Sequence, residues 1–187
     1  MSTWKERAAS RRRQTILKNI LYAAGGLVMV IAAVLLLSNK NTTMAFGPAR
    51  VGKPLGDFSL KDIHGQTVRM SDHQGKAILV NAWATWCPPC KAEMPDLNAY
   101  FQSHQADGFM LLAVNAGDPA SDAAAFASQK GLAFPVLLDP NTNLLNSLGI
   151  HSFPTSILVG TDGVVKSIHV GMFTPQALEA EITPYLP

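Results

Sequence analysis

The chain has 187 residues, of which 48% are hydrophobic and only two are cysteines. Residues 1–18 carry six basic residues against one acid, whereas the rest of the chain has nine basic and twelve acidic residues. Because the excess positive charge lies in one short arm and the remainder is mildly acidic, we expect no nucleic-acid partner.

An apolar segment follows the basic arm. Residues 20–37 contain no charged side chain and would span about 27 Å as a helix, close to the roughly 30 Å of a bilayer core. A cleaved signal peptide is the alternative, but its apolar region is usually only about 7–15 residues long. The basic flank favours a cytoplasmic N-terminus. We therefore predict a cytoplasmic arm at 1–18, a transmembrane signal anchor in the lipid bilayer at 19–38, a linker at 39–53 and an extracytoplasmic domain at 54–187.

The domain opens with a predicted β-hairpin. Residues 58–63 and 66–70 alternate between apolar and polar side chains on either side of a His64-Gly65 turn. Residues 76–83 form a nearly continuous apolar run that is typical of a strand buried on both faces. A helix is predicted from 88 to about 104, with a kink at Pro95. Its apolar side is predicted to carry Ala92, Leu97, Tyr100 and Phe101.

The rest of the domain alternates between strands and helices. Strands are predicted at 109–114, 134–138, 155–159 and 164–170, and helices at 119–130, 141–148 and 174–185. The last two strands form a hairpin around Asp162-Gly163. This order predicts an α/β sandwich whose sheet mixes parallel and antiparallel neighbours and is flanked by helices.

Both cysteines follow the predicted buried strand. Cys87 and Cys90 are separated by Pro88 and Pro89. A structural disulfide is the usual interpretation in an exported domain, but closing so short a loop gives little entropic stabilisation. A zinc site would need about four ligands, and the sequence has no second Cys pair and no His-x-x-x-His cluster. No metal site is therefore predicted.

A redox role fits this spacing better. A strand that ends in Cys-x-x-Cys and leads into a helix puts the first sulfur at the helix N-terminus, which favours a thiolate. Cys87 is therefore expected to have a lowered pKa and to act as the nucleophile, and Cys90, one turn deeper, is expected to resolve the mixed disulfide. The prolines stiffen the turn and leave the Cys90 N–H free to donate to the Cys87 sulfur.

Two sequence segments together indicate a family. Residues 83–95 read WATWCPPCKAEMP, and Ser152-Phe153-Pro154-Thr155 precedes a later predicted strand. This combination resembles the thioredoxin superfamily, specifically its membrane-anchored TlpA/ResA-type thiol-disulfide oxidoreductases, from about residue 51 to the C-terminus. The resemblance implies a thioredoxin-like sandwich with an extra N-terminal β-hairpin, preceded by one transmembrane helix in a bacterial cytoplasmic membrane. It implies no cofactor.

The resemblance also implies a client-binding groove beside the sulfurs. In such proteins the proline that corresponds to Pro154 follows a cis peptide bond and lies against the active-site sulfur, so Phe153–Pro154 is the cis candidate. The other positions expected at the groove are Trp86, Pro88 and Gly171.

Two positions depart from ordinary thioredoxins. Where thioredoxins typically have a buried aspartate, this chain has Asn81, which cannot accept a proton from the resolving thiol. Glu93 corresponds to an active-site glutamate of ResA-type proteins and could carry the proton that Cys90 loses. A solvated glutamate on a helix face is the alternative.

The expected function is the reduction of protein disulfides outside the cytoplasm. The resemblance implies clients such as apocytochrome c or copper-site assembly proteins, and a transmembrane thiol electron donor. A disulfide-forming oxidase is the runner-up, because only the reduction potential decides the direction. A copper-carrying chaperone that uses Cys87, Cys90 and His151 is the alternative of another class, although such carriers have a CxxxC pattern. A peroxiredoxin is not favoured, because its Thr-x-x-Cys pattern is absent and Thr85 stands two positions before Cys87.

Overall fold

The computed structural model describes residues 47–187 together with Tyr22, Gly25 and Gly26. The predicted cytoplasmic arm, the predicted anchor apart from those three helical residues, and residues 39–46 of the predicted linker lie outside the described residues. In the part of the chain that is described, no helix combines the length and the apolar character needed to cross a bilayer. Residues 47–187 belong to one compact unit.

A single mixed sheet of seven strands runs through residues 47–187. The strands are β1 (Ser59–Asp62), β2 (Thr67–Arg69), β3 (Ala77–Trp83), β4 (Phe109–Ala116), β5 (Val136–Asp139), β6 (Thr155–Val159) and β7 (Val165–Val170). They lie in the order β2-β1-β5-β4-β3-β6-β7. The three central strands, β5, β4 and β3, are parallel to one another, and all other neighbours are antiparallel. The predicted mixture of parallel and antiparallel neighbours is confirmed.

Four α-helices of residues 47–187 accompany the sheet. They are α1 (Pro88–His104), α2 (Ala120–Lys130), α3 (Asn143–Ser147) and α4 (Pro175–Ile182). Short 3₁₀ turns occupy Met70–His73, Gln105–Asp107 and Thr183–Tyr185. Every residue of β3 is buried. Since successive side chains of a strand point to opposite faces, both faces of the sheet are covered at its centre, as the apolar run of residues 76–83 predicts.

The predicted N-terminal hairpin is present and extends the main sheet. β1 pairs with β2 on one side and with β5 on the other. The Asp62 carboxylate closes the turn, because its Oδ1 accepts the backbone N–H groups of His64 and Gln66 at 2.9 and 2.8 Å. Gly65 takes a φ of +80° in this turn, a conformation that costs glycine little.

The end of the predicted linker is packed onto the domain. The Ala49 N–H donates to the Leu148 carbonyl at 2.9 Å, and the Gly52 N–H donates to the Val165 carbonyl at the same distance. In return, the Val165 N–H donates to the Lys53 carbonyl at 2.9 Å. Residues 49–53 therefore belong to the packed domain and cover part of the edge strand β7.

The buried face of α1 contains Leu97, Tyr100 and Phe101 as predicted, but not Ala92. The helix runs from Pro88 through Pro95 to His104, as predicted. Ala92 is exposed, so its assignment to the apolar side was wrong. A helix advances about 100° per residue, and the inward positions are Cys90, Glu93, Met94, Leu97, Tyr100 and Phe101. A carboxylate therefore takes an inward position that an apolar-pattern argument would not give it.

Candidate active site

The loop from β3 into α1 places the two cysteines at the start of the helix. Cys87 is the N-cap residue, and its Sγ accepts the Cys90 N–H at 3.3 Å. Pro88 and Pro89 occupy the first helical positions, where a missing N–H leaves no helical hydrogen bond unmade. The two sulfurs form a disulfide in this structure, with the Cα atoms 5.3 Å apart.

The two sulfurs differ in accessibility. Cys87 is 4% exposed, whereas Cys90 is completely buried. An external disulfide or thiol therefore reaches this pair from the Cys87 side. Cys90 can exchange only with a sulfur that is already bonded to Cys87.

The loop before β6 lies beside the disulfide. β6 is antiparallel to β3 with Thr155 opposite Ala82, so the start of β6 is next to the end of β3. The Phe153–Pro154 peptide bond is cis, as the resemblance implies. The Trp86 and Phe153 rings meet edge to face with their centroids 5.7 Å apart.

Gly171 follows the last residue of β7 and lies beside Pro154. Its N–H donates to the Pro154 carbonyl at 2.9 Å. Its φ of +108° lies in the region that favours glycine, and no atom lies within 4 Å of the position that a Cβ would take. The backbone conformation, not lack of space, therefore requires glycine here. The structure thus brings together Trp86, Pro88, Phe153, Pro154 and Gly171, all at the disulfide end of the domain.

Glu93 is a buried carboxylate one turn after Cys90. Its side chain is fully buried. Oε1 accepts the Asn81 Nδ2–H at 2.9 Å, and Oε2 accepts the Phe173 backbone N–H at 2.9 Å. Burial raises the pKa of Glu93 above its ordinary value, although the Phe173 N–H, the Asn81 amide and nearby His169 each lower it. The alternative of a solvated glutamate is excluded by this burial.

Asn81 links Glu93 to the neighbouring strand. It is fully buried in β3, opposite Ser156 of β6. Its Nδ2 donates to Glu93 and also to Ser156 Oγ at 3.0 Å, whereas its Oδ1 has no hydrogen-bond partner. The sequence marks Asn81 only as a departure from thioredoxins. Its contact with residue 156 depends on strand register, which the sequence does not reveal.

Asp118 supports the loop that carries the cysteines. Its Oδ2 accepts the Thr85 backbone N–H and the Asn115 Nδ2–H, each at 2.7 Å. The Asp118 N–H donates back to Asn115 Oδ1 at 3.1 Å. No motif in the sequence pointed to Asp118. The available signal was its position just after β4, because the carboxyl ends of parallel neighbours such as β3 and β4 meet at one edge of the sheet.

His151 does not join the cysteines in a metal site. It is exposed and lines a cavity of about 140 Å³ on the side of β6 and β7. Within residues 47–187, no three His, Cys, Asp or Glu side chains are grouped so that they could hold a metal ion. The copper-carrying alternative therefore gains no support from the placement of Cys87, Cys90 and His151.

Apolar side chains are exposed around this end of the domain. Trp86 is 62% exposed, Val170 is 66% exposed and Met172 is 46% exposed. Large apolar side chains that remain in contact with water near a reactive group are typical of a surface that binds another molecule.

Comparisons with known proteins agree with this geometry. A family model described as the AhpC/TSA family matches residues 51–168, more than half of the chain. The thiol-disulfide oxidoreductase ResA of Geobacillus thermodenitrificans is 36% identical over 137 residues, which cover 73% of this chain and 79% of that protein. The thioredoxin-like protein YneN of Bacillus subtilis is 36% identical over 134 residues, which cover 70% of this chain and 78% of that protein.

A solved structure extends the likeness to the fold. A Chlorobium tepidum protein described as a thiol:disulfide interchange protein DsbE has a TM-score of 0.70 to this chain at 33% sequence identity, covering 74% of this chain and 99% of that one. The fold is thioredoxin-like, as the sequence resemblance implies. This chain is therefore a thioredoxin-like member of the AhpC/TSA family and, like its ResA relatives, a thiol-disulfide oxidoreductase.

Proposed function

We propose that the chain is a membrane-tethered, extracytoplasmic oxidoreductase that reduces client disulfides through Cys87 and Cys90. The observation that carries the proposal is the disulfide at the start of α1 with the fully buried Glu93 one turn after Cys90. A sulfur at a helix N-terminus is favoured as a thiolate. Burial raises the pKa of Glu93, so its carboxylate binds a proton more readily than an exposed glutamate does.

The proposed reaction begins at Cys87. Its thiolate attacks one sulfur of a client disulfide and forms a mixed disulfide, while the other client sulfur leaves as a thiolate and takes up a proton. Cys87 suits this role because it is the more exposed residue of the pair, 4% against none for Cys90. The helix N-terminus stabilises the negative charge before the attack.

The second step closes the Cys87–Cys90 bond. Cys90 loses its proton, attacks the Cys87 sulfur of the mixed disulfide, and the remaining client sulfur leaves as a thiolate. Once that thiolate is protonated, the client has gained two electrons and two protons, and the chain holds the disulfide present in the structure. A separate dithiol donor must reduce this bond before the next cycle.

Glu93 is the proposed carrier of the Cys90 proton. Cys90 is fully buried, so water does not reach its thiol directly. The carboxylate of Glu93 lies one turn along the same helix and can accept the proton and return it to the leaving client thiolate. Asn81 cannot do so, because an amide has no basic group at neutral pH.

The groove beside the sulfurs is the proposed client site. Trp86, Pro88, Phe153, Pro154 and Gly171 are the residues expected to contact the client. Their support is the contact between the Trp86 and Phe153 rings and the exposure of Trp86. An unfolded or extended client segment with apolar residues near its disulfide fits such a surface.

The proposed location follows from the N-terminal sequence. Residues 1–18 would lie in the bacterial cytoplasm, and residues 19–38 would anchor the chain in the membrane. A domain held outside the cytoplasm needs an electron donor that crosses the membrane, and we propose a transmembrane thiol protein for this role. The resemblance to TlpA/ResA-type proteins supports clients such as apocytochrome c or copper-site assembly proteins.

The reduction potential of the Cys87–Cys90 pair tests the proposed direction. We expect a value close to the roughly −270 mV of thioredoxin and far from the roughly −120 mV of strongly oxidising enzymes. The full-length chain is equilibrated in glutathione buffers, and its oxidised fraction is measured by thiol alkylation. A value near −120 mV would make the runner-up function, disulfide formation, the correct one.

A further inference from the structure

Three buried polar side chains connect α1 to the sheet behind the disulfide. Asn81 and Glu93 are fully buried, and Ser156 is 1% exposed. The two hydrogen bonds that join them both come from Asn81 Nδ2, which donates to Glu93 Oε1 at 2.9 Å and to Ser156 Oγ at 3.0 Å. Both amide hydrogens of Asn81 are therefore in use.

The direction of these hydrogen bonds fits an ionised Glu93. Both carboxyl oxygens accept, Oε1 from Asn81 and Oε2 from the Phe173 backbone N–H. The Asn81 Oδ1, by contrast, is buried and has no partner. Buried amide oxygens are nearly always hydrogen-bonded, so this Oδ1 is an acceptor within the Asn81 side chain that is not yet in use.

Protonation of Glu93 would change the kind of neighbour that its carboxyl group needs, from hydrogen-bond donors to an acceptor. A neutral carboxyl carries an O–H that needs an acceptor, whereas the groups that contact its two oxygens are N–H donors. The Phe173 N–H is part of the backbone and cannot turn round. The Asn81 amide can, since rotation about its last side-chain bond exchanges Nδ2 with Oδ1.

We propose that Asn81 is a positioning residue for Glu93 whose amide turns over when Glu93 gains a proton. After the turn, Oδ1 accepts the Glu93 O–H and the Ser156 O–H, because a serine hydroxyl can donate as well as accept. The turn gives Oδ1 two partners and moves Nδ2 to the position that has none, so it is favoured only while Glu93 carries a proton that needs an acceptor. The inference rests on the proposed function, in which Glu93 receives the proton of Cys90.

The other groups that act on Glu93 come from the sheet edge and from α4. His169 of β7 lowers the Glu93 pKa electrostatically. Its ring stacks on Phe173 with a centroid distance of 3.9 Å, and its Nδ1 lies 3.1 Å from Glu181 Oε1 of α4. Neither His169 nor Glu181 hydrogen-bonds to Asn81, so replacing Asn81 leaves this electrostatic influence in place.

The test is an NMR titration of the oxidised full-length chain in detergent. The carboxyl carbon of Glu93 and the side-chain amide group of Asn81 are followed from pH 4 to 10. We expect both signals to change with the same midpoint. In Asn81→Leu, loss of a donor to the carboxylate disfavours the charged form, and the Glu93 midpoint should rise by about one pH unit or more.

A second variant covers the case in which Asn81→Leu does not fold. Asn81→Asp keeps the side-chain shape but puts a second carboxyl group in contact with Glu93. Two such groups share one proton and titrate in two separated steps. We therefore expect one step below and one step above the midpoint of the unaltered chain.

Asn115→Leu is the matched control. Asn115 is a buried asparagine of the neighbouring strand β4, opposite Trp83 of β3, but its amide donates to Asp118 and not to Glu93. The Asn115→Leu variant should leave the midpoint of the Glu93 titration unchanged. An unmoved Glu93 midpoint in the Asn81 variants, or an Asn81 amide signal that ignores the Glu93 titration, would overturn the inference.

The titration does not depend on turnover, which separates the two proposals. If Glu93→Gln reduced client disulfides at the normal rate, the role of Glu93 in the proposed function would fail while the coupling between Asn81 and Glu93 would stand. If the midpoints failed to move while Glu93→Gln was slow, only the coupling would fail.

Discussion

Glu93 and Glu179 are both helical carboxylates, yet their surroundings shift their pKa values in opposite directions. Burial raises the pKa of Glu93. The hydroxyl of Thr183, which donates to Glu179 Oε2 at 2.8 Å, lowers the pKa of Glu179, and His104 adds to this effect. A raised pKa in the folded state means that the folded chain binds more protons than the unfolded one.

Replacing Glu93 by glutamine should change how the stability of the domain depends on pH. The stability that Glu93 contributes is fully present below its unfolded pKa, near 4.5, and is lost as pH rises through its folded pKa. A neutral glutamine does not carry this penalty at high pH. Glu93→Gln should therefore gain stability relative to the unaltered chain as pH rises from about 4.5 to 8. Urea unfolding of the oxidised proteins across this range measures the difference.

Glu179→Gln supplies a control of opposite sign. The contribution of Glu179 is present above its unfolded pKa and is lost as pH falls through its lowered folded value. Replacing Glu179 should therefore change the free energy of unfolding least at the acidic end of the pH range. A stability difference for Glu93→Gln that does not vary with pH would mean that Glu93 titrates as it does in the unfolded chain. The Glu93→Gln variant should also reduce client disulfides more slowly at neutral pH if Glu93 carries the Cys90 proton.

At the level of elements, local patterns predict most of the fold. The helix at Pro88–His104 and the strand at Thr155–Val159 have the bounds that their sequences predict, and the other elements begin and end within about three residues of expectation. The order of strands in the sheet was not predictable in this way. The pairing of β1 with β5, for example, joins residues 61 and 138, and no local pattern encodes such a contact.

In the candidate site, too, local motifs could be predicted from the sequence and long-range contacts could not. Cys87, Cys90, Trp86 and Pro154 could be identified because their motifs are short and continuous. The polar contacts behind the sulfurs join residues far apart in the sequence, since Phe173 meets Glu93 across 80 positions and Ser156 meets Asn81 across 75. Only strand register and helix packing bring them together. The sequence therefore predicts the positions of Cys87, Cys90 and Glu93 better than it predicts the hydrogen-bond partners of Glu93.

The second prediction tests whether both faces of the sheet are covered. Leu111 and Leu112 are fully buried neighbours in β4, and their side chains point to opposite faces. Truncating either to alanine should cost about 2–5 kcal/mol of unfolding free energy. Ile168→Ala in the edge strand β7, where the side chain is 37% exposed, should cost clearly less. If one leucine variant cost no more than Ile168→Ala in urea unfolding, the face it points to would not be packed.

At the scale of the whole molecule, the side chains near the disulfide fall into an exposed apolar group and a buried group. Exposed apolar side chains, Trp86 and Met172 among them, lie at the end of the domain that carries the disulfide, whose more exposed residue is Cys87. Cys90 and Glu93 lie behind it, out of contact with water. The exposed apolar side chains offer a broad contact surface, whereas Cys90 and Glu93 are shielded from solvent. Such shielding favours exchange with bound disulfides over reaction with free solutes.

The proposed membrane tether can be tested by labelling single cysteines on either side of the membrane. The chain has no thiols besides Cys87 and Cys90, so Cys90→Ala leaves one labelling site in the domain. Ser10→Cys in a Cys87→Ser, Cys90→Ala background puts the one site in the basic arm. If the arm is cytoplasmic and the domain is outside, an impermeant maleimide should label Cys87 in intact reduced spheroplasts. It should reach the arm cysteine only after lysis.

The size of the labelled chain decides between an anchor and a cleaved signal. An uncleaved anchor leaves residue 10 on the same polypeptide as the domain, so the arm label should appear at the full length of 187 residues and sediment with membranes. Signal cleavage would instead separate the arm from the domain, and the full-length band would carry no arm label. Labelling of the arm in intact spheroplasts would reverse the predicted orientation. In that case the domain would face the reducing cytoplasm, where its disulfide would meet thioredoxin and glutathione directly.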